Sequence, residues 1–376
     1  VRANRTVNSP LFALCVQASM HAPSRMAAHL ALVMIARNEA HCIERCLNSV
    51  RAHVDSMFVL DTGSHDDTAG IAQRAGAQVA QFTWCDDFAA ARNAALQIAN
   101  ADWSLVLDAD EWMVDGAAAL ATLRHATPDG VGVIRVDNLF GTDEARASCS
   151  VSWLSRVLPR GARYSGRVHE QPDAAWPRRR LDVTVRHDGY LDAAMRGKRG
   201  RNDRLLRLAL AGRPDDVYLH YQLGKDLELR GCYADALPHY QRAHAGASSA
   251  APWHHDLLLR LLFTLKRLDR FADAVPLAQL HQAEYAASPD YCFALGDLLL
   301  SWAAHEPARG PDLAPLIEAA WLRAIEIGDR PELTDSVHGR GSFLAAHNLA
   351  VLYAGLGLHD DAQHWRTREQ AMRAAA

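Results

Sequence analysis

The sequence lacks the features of a membrane, disulfide-stapled or polyanion-coating protein. No stretch of its 376 residues approaches the about 18 consecutive apolar residues of a membrane-spanning helix. The seven cysteines, Cys15, Cys42, Cys46, Cys85, Cys149, Cys232 and Cys292, are odd in number and form no CxxC pair. That usage suits a reducing compartment better than a disulfide framework or a zinc cage, so a cytoplasmic location is expected. Neither charge sign dominates: 40 Lys+Arg stand against 44 Asp+Glu, a formal net charge of −4. No nucleic-acid partner is expected on that balance. The GxxxxGK[ST] phosphate loop, GxGxxG after a strand, HExxH and GxSxG are all absent, which removes their chemistries from consideration.

What is there is ordinary globular material. Apolar residues make up 49% and charged residues 22%, enough to bury a core. At about 100–200 residues per domain, two domains are expected. The chain opens on Val1, and residues 1–28 hold only a short apolar run, Leu11–Val16, with Pro10 and Pro23. They read as a disordered lead-in or as residues upstream of the natural start, with a secretion signal the lesser alternative because the run is shorter than a signal-peptide core.

From Ala28 to about Tyr190, apolar runs alternate with amphipathic segments. The runs are Leu30–Ile35, Met57–Leu60, Gln78–Phe82, Ser104–Leu107 and Val131–Val136. Between them lie Asn38–Val54, Asp66–Ala75, Asp86–Ala99 and Gly116–His125. This spacing predicts βαβ units on a mainly parallel sheet. Beyond about Arg201 strand-like runs stop and Leu and Ala dominate. Tyr221-Gln222-Leu223-Gly224, then Leu227, Gly231, Tyr233, Ala236, Tyr240 and Ala243, follow the tetratricopeptide pattern. Further units begin near Leu262, Leu295-Gly296 and Leu349-Ala350, so the register positions 224, 262, 296 and 350 are unevenly spaced. Small residues let paired helices approach and large ones fill the gap. The expected division is a 1–28 lead-in, an α/β domain over 29–205 and a helical repeat domain over 206–376. Trp253, Trp302, Trp321 and Trp365 are either anchors for a bound peptide or core.

The residues suited to chemistry collect at strand ends. Leu105-Val106-Leu107-Asp108-Ala109-Asp110-Glu111 runs an apolar strand into two carboxylates at i and i+2. In an open α/β sheet, ligands bind outside the carboxyl ends of the strands, and carboxylates suit Mg²⁺ or Mn²⁺. Phe58-Val59-Leu60-Asp61-Thr62-Gly63-Ser64 delivers Asp61 to the same edge, with Ser64 or Asp66 able to cap the following helix. The first strand ends in Ile35-Ala36-Arg37-Asn38-Glu39. Helix capping explains part of this pattern and leaves the gathering of acids on one edge unexplained.

Taken together, Met34-Ile35-Ala36-Arg37-Asn38-Glu39, Val59-Leu60-Asp61-Thr62-Gly63-Ser64, Asp67-Thr68, Leu107-Asp108-Ala109-Asp110-Glu111 and Trp84-Cys85-Asp86-Asp87-Phe88 through Arg92-Asn93 resemble the family 2 inverting glycosyltransferases of GT-A fold. The similarity is to the subset of lipopolysaccharide-core glucosyltransferases and peptide S-glycosyltransferases that modify glycocins, and it covers roughly residues 30–205. The resemblance implies a Rossmann-like mixed sheet and a UDP-hexose donor. It places Ile35, Ala36, Arg37 and Asn38 on base and ribose, Asp61 on the base, Arg92 near the nucleotide sugar, Asp108 on ribose or sugar, and Asp110 on the metal. His187 would complete the metal shell. On residue grounds Arg92 can equally form a salt bridge with Asp61 or Asp108.

Arg163-Tyr164-Ser165-Gly166-Arg167-Val168-His169-Glu170 supplies Glu170 as candidate base for the acceptor's proton, with Asp137 and Glu111 as runners-up. The basic segment Arg196 to Arg207 precedes the helical half. From it, Lys198 and Arg201 are expected to clamp the pyrophosphate, whereas Arg178-Arg179-Arg180 is exposed charge. The QxxRW signature of processive synthases is absent, which favours addition of one or few sugars. The resulting expectation is a metal-dependent inverting hexosyltransferase acting on a peptide or protein, O- or S-linked. A lipopolysaccharide or capsule glycan is the alternative acceptor. The rivals from other classes are an inactive scaffold for protein interaction and a nucleotidyltransferase. A homodimer through the helical half is a further expectation.

Overall fold

The computed structural model describes residues 27–141, 148–191 and 200–375. Most of the expected lead-in, and Lys198, lie outside them. The described elements run β1 (Leu30–Ala36), α1 (Ile43–Val50), β2 (Ser56–Asp61), α2 (Thr68–Arg74), β3 (Gln78–Gln81), α3 (Phe88–Ala99), β4 (Trp103–Val106), β5 (Glu111–Asp115), α4 (Ala117–Leu123), β6 (Val131–Gly141), β7 (Ser148–Pro159), β8 (Tyr164–Ser165), β9 (Gln171–Pro172) and β10 (Arg178–Leu191). Helices follow: α5 (Arg201–Gly212), α6 (Val217–Leu229), α7 (Tyr233–Gly246), α8 (His254–Arg267), α9 (Phe271–His281), α10 (Pro289–His305), α11 (Gly310–Ile327), α12 (Phe343–Gly355) and α13 (His359–Ala374), with β11 (Ser336–Val337) before α12.

β1 is apolar throughout because it is covered on both faces. Leu30, Leu32 and Met34 pack with Ile43, Cys46, Leu47 and Val50 of α1 and with Leu120 and Leu123 of α4. Ala31 and Val33, pointing the other way, pack with Ala89, Ala95 and Ala99 of α3. One sheet holds nearly all the strands, in the order β3-β2-β1-β4-β7-β6-β10-β5, with β11 added to β7. The sheet is mixed, as expected: its parallel part is β3-β2-β1-β4 together with the β6–β10 pair. β7 runs antiparallel to both β4 and β6, and β5 antiparallel to β10. Arg178–Arg180 is exposed as expected, yet it opens β10 beside Val131–Val133.

The helical half consists of four hairpins, α6/α7, α8/α9, α10/α11 and α12/α13, in line with the four repeat units. A Cβ on Gly224 would lie 2.7 Å from the Tyr240 ring, and one on Gly296 2.5 Å from Trp321 Nε1. Only glycine admits those rings. Trp321 and Trp365 are core residues, and Trp253 and Trp302 pack against the core. The expected boundary at 205/206 falls inside α5. Arg201 and Arg204, at the start of α5, reach Phe88 and Asp86 of the sheet half, while Leu205 and Leu206 enter the helical core.

The wide gap between repeat positions 296 and 350 is also explained. The connection from α11 to α12 leaves the array and adds β11 to the sheet, pairing Ser336 with Val151 and Val337 with Ser150. Trp153 Nε1 donates to Pro331 O at 3.0 Å, and Ser152 Oγ donates to Asp335 at 2.7 Å. Among the described residues, no helix is long and apolar enough to cross a membrane.

Candidate active site

The parallel strands point their carboxyl ends to one edge, and register places the polar residues there. Ala36 of β1 lies opposite Asp61 of β2, and Val33 opposite Val106 of β4. Asp108 and Asp110 therefore emerge two and four residues beyond β4 on that edge.

The β1 and β2 loops are laced together by side chains. Asp61 is buried, and its Oδ1 accepts from Ser64 N at 3.0 Å and Ser64 Oγ at 2.6 Å. Ser64 Oγ accepts in turn from Asn38 N at 2.9 Å, while Asn38 Oδ1 accepts from His65 N at 2.8 Å. Asn38 holds a left-handed backbone, φ 57°, a conformation that asparagine tolerates better than most residues. Ser64 is thus occupied within the loop, and Asp66 accepts from Thr68 N at the start of α2. Ala36 O accepts from Thr62 N, and Arg37 and Asn38 are exposed.

Asp108 sits between two arginines. Arg92 of α3 donates to its Oδ1 at 2.7 Å and Arg156 of β7 to its Oδ2 at 2.9 Å. Arg92 Nε also donates to Glu170 Oε1, and Arg156 to Glu111 Oε1. Glu111 Oε2 closes the turn by accepting from Asp108 N at 2.9 Å. Burial alone would raise the Asp108 pKa, but Arg92 and Arg156 together hold it well below the usual carboxylate range. Glu111 shifts the other way: burial, seconded by the Asp108 charge, outweighs Arg156 and raises it. Of the two readings of Arg92, the salt bridge to Asp108 is present, and no bond joins it to Asp61.

This cluster is incompletely satisfied. Arg92 Nη1, Arg156 Nε and the Tyr164 hydroxyl are buried without a hydrogen-bond partner. Burial pushes the Tyr164 phenol up to about 12. Asn93, one residue after Arg92, fixes the β8 segment through paired bonds of 2.9 Å with Tyr164 N and O. His169, with φ 50°, is driven down to about 4 by burial and by the charges of Lys225 and Arg201. Lys225 belongs to α6, so the helical half forms part of the wall beside Glu170.

Asp110 and His187 meet on the other flank. His187 Nε2 approaches Asp110 Oδ2 to 3.5 Å. His187 Nδ1 lies 3.0 Å from Asn138 Oδ1. Asn138 Nδ2 is committed to Ser150 O and Ser152 Oγ, so its oxygen faces the ring and accepts Nδ1–H. Nε2 is then the basic nitrogen and converges with a carboxylate oxygen. That donor set, with a hydrogen bond fixing the far ring nitrogen, fits a hard divalent cation. Asp108, with an arginine on each oxygen, does not share that geometry.

Arg201 lies close enough to Arg37, Glu39, Asp108 and Asp110 for their charges to act on it. Of the runners-up for the base, Glu111 is 2% exposed and Asp137 is bound to Arg135 at 2.7 Å. Sequence reasoning missed Arg156. Its signal was a charged residue among the apolar, inward positions of Val151–Leu158.

Residues 31–179 match the family model described as glycosyl transferase family 2. A TPR repeat-containing protein of Synechococcus elongatus is 36% identical over 218 residues, 52% of this chain and 52% of that protein. The prophage-derived glycosyltransferase SunS of Bacillus subtilis is 24% identical over 287 residues, 71% of this chain and 66% of SunS. Among solved structures, the crystal structure of MamA aligns at TM-score 0.37 and 18% identity, covering 49% of this chain and 95% of that one. The chain thus spans about half to two thirds of the length of these curated relatives. Its sheet half is a glycosyl transferase family 2 domain of mixed-sheet GT-A fold, and a tetratricopeptide-like helical array is joined to it.

Proposed function

We propose that this protein is an inverting hexosyltransferase that moves a sugar from UDP-hexose to a hydroxyl or thiol of a peptide or protein, with Mg²⁺ or Mn²⁺. The observation that carries the reading is the buried arginine–carboxylate cluster beside Asp110 and His187, at the carboxyl edge of the parallel strands. Buried donors without partners favour an anionic or polar ligand there.

Asp110 and His187 would hold the cation, which when bound neutralises the diphosphate of the donor. The Asn38–Ser64–Asp61 loop would receive base and ribose. Arg37 and Arg201 would face the phosphates, with Lys198 as a second clamp. Arg92 holds one oxygen of Glu170, and the second, Oε2, would take the acceptor's proton. The acceptor O or S bonds to the anomeric carbon as the bond from that carbon to the diphosphate breaks, and UDP leaves. The helical array would supply acceptor binding away from the reacting atoms.

The test is release of UDP from UDP-hexose. The wild type should release UDP and no pyrophosphate, with Mn²⁺ or Mg²⁺ required, and Asp110→Ala should fail to do so. Equal release and equal donor binding by the two proteins would remove the reading.

A further inference from the structure

The β1–α1 loop carries a second set of convergent donors that the proposed transfer does not use. Glu39, His41 and Cys42 each offer one ligand atom, and the three lie within 4.8 Å of one another. Cys42 Sγ is 3.3 Å from Glu39 Oε2, and His41 Nε2 is 4.0 Å from the same oxygen. Sulfur, nitrogen and oxygen ligands around a tetrahedral zinc ion stand about 3.3–3.6 Å apart. The Cys42–Glu39 pair already has that spacing. His41 has 71% of its side chain exposed and can close the remaining gap by rotation without disturbing the core.

The rest of the loop is held in place. Glu39 N donates to Thr68 Oγ1 at 2.8 Å and Ala40 N to Asp66 Oδ2 at 3.2 Å. Cys42 N and Ile43 N both donate to Glu39 O. Cys42 stands at the N-cap of α1, and burial, seconded by the Glu39 charge, pushes its thiol pKa well above the usual range. Asp110 and Asp188 add negative charge nearby.

We infer that Glu39, His41 and Cys42 form a site for a thiophilic divalent metal, Zn²⁺ by donor set. It is distinct from the all-oxygen-and-nitrogen pair of Asp110 and His187. Three protein ligands leave a fourth position for water. Binding replaces the thiol proton by the metal, the proton passing to solvent, so affinity rises with pH. An occupied site would stiffen the loop that carries Arg37 and Asn38.

Cobalt(II) serves as the probe, added alone to the full chain at neutral pH. The expected result is a near-ultraviolet thiolate-to-cobalt charge-transfer band of one thiolate-bound cobalt per chain, abolished by excess Zn²⁺. The band should vanish in Cys42→Ser, and affinity should fall about tenfold or more in His41→Ala. Asp110→Asn should keep it, which separates this site from the proposed catalytic one. His41 is exposed, so His41→Ala decides the matter even where Cys42→Ser fails to fold. Absence of the band in the wild type, its survival in Cys42→Ser, or unchanged affinity in His41→Ala would overturn the assignment.

Discussion

The two halves of the molecule each bury a network of arginines and carboxylates, and the networks differ in completeness. In the helical half, Arg260 donates to Asp256 at 2.6 Å and Glu228 at 3.0 Å. The Tyr221 hydroxyl donates to Asp256 at 2.5 Å and the Tyr240 hydroxyl to Glu228 at 2.5 Å. None of these side chains has a buried polar atom without a partner. In the sheet half, the Arg92–Asp108–Arg156 cluster leaves three buried groups unmade. A completed network ties helices together; an incomplete one holds charge ready for a ligand at a cost in stability.

The contrast can be broken in order of expected effect. Arg260→Ala strands Asp256 and Glu228 and should cost about 3–5 kcal/mol of stability, read by urea unfolding, with donor affinity of the folded fraction unchanged. Asp110→Asn should do the reverse. UDP release should fall about a thousandfold, ~4 kcal/mol of barrier, while unfolding free energy moves by about 1 kcal/mol or less.

Acidity should strain the wall between the halves. The folded state holds His169 neutral, with its pKa depressed from 6.5 to about 4. The unfolded chain therefore binds more protons below pH 6.5. Stability is full above that pH and declines as pH falls from 6.5 toward 4, by roughly 3 kcal/mol in all from this residue. Burial shifts His244 and His254 in the same direction. Urea midpoints measured across that range should show the slope, and His169→Gln should flatten it.

The smallest effect tests the repeats. Gly296→Ala should destabilise by about 1–3 kcal/mol, because its Cβ meets the Trp321 indole and overpacking outweighs the helix propensity gained. Gly355, with nothing within 4 Å of an added Cβ, should gain up to about 1 kcal/mol from the same change. Thermal unfolding of the two variants should move in opposite directions.

Much of this was legible in the sequence where residues adjacent in the chain are also adjacent in space. The βαβ run from Leu30 to Val106, the acids at its strand ends and the Gly-to-aromatic spacing of the repeats depend on local periodicity. Arg156, β5 and the opening of β10 were not legible, because their partners lie far along the chain. Arg156 meets Asp108 and Glu111 across 48 and 45 residues, and β5 pairs with β10 across some 70. Of the two cap candidates, Asp66 accepts from Thr68 N at the start of α2, whereas Ser64 binds Asp61 and Asn38, since the two loops come together only once β1 and β2 pair in register.

By itself the sequence determined which residues the strands carry to one edge and which helices pair, since both follow from periods of two and of about 3.6 residues. Only the tertiary structure decided which charges neutralise one another. It set Asp108 between two arginines, left Asp110 facing His187 and stitched the helical array to the sheet through β11. A charge's partner is fixed by distance in space, and distance between remote segments exists only after the chain has folded.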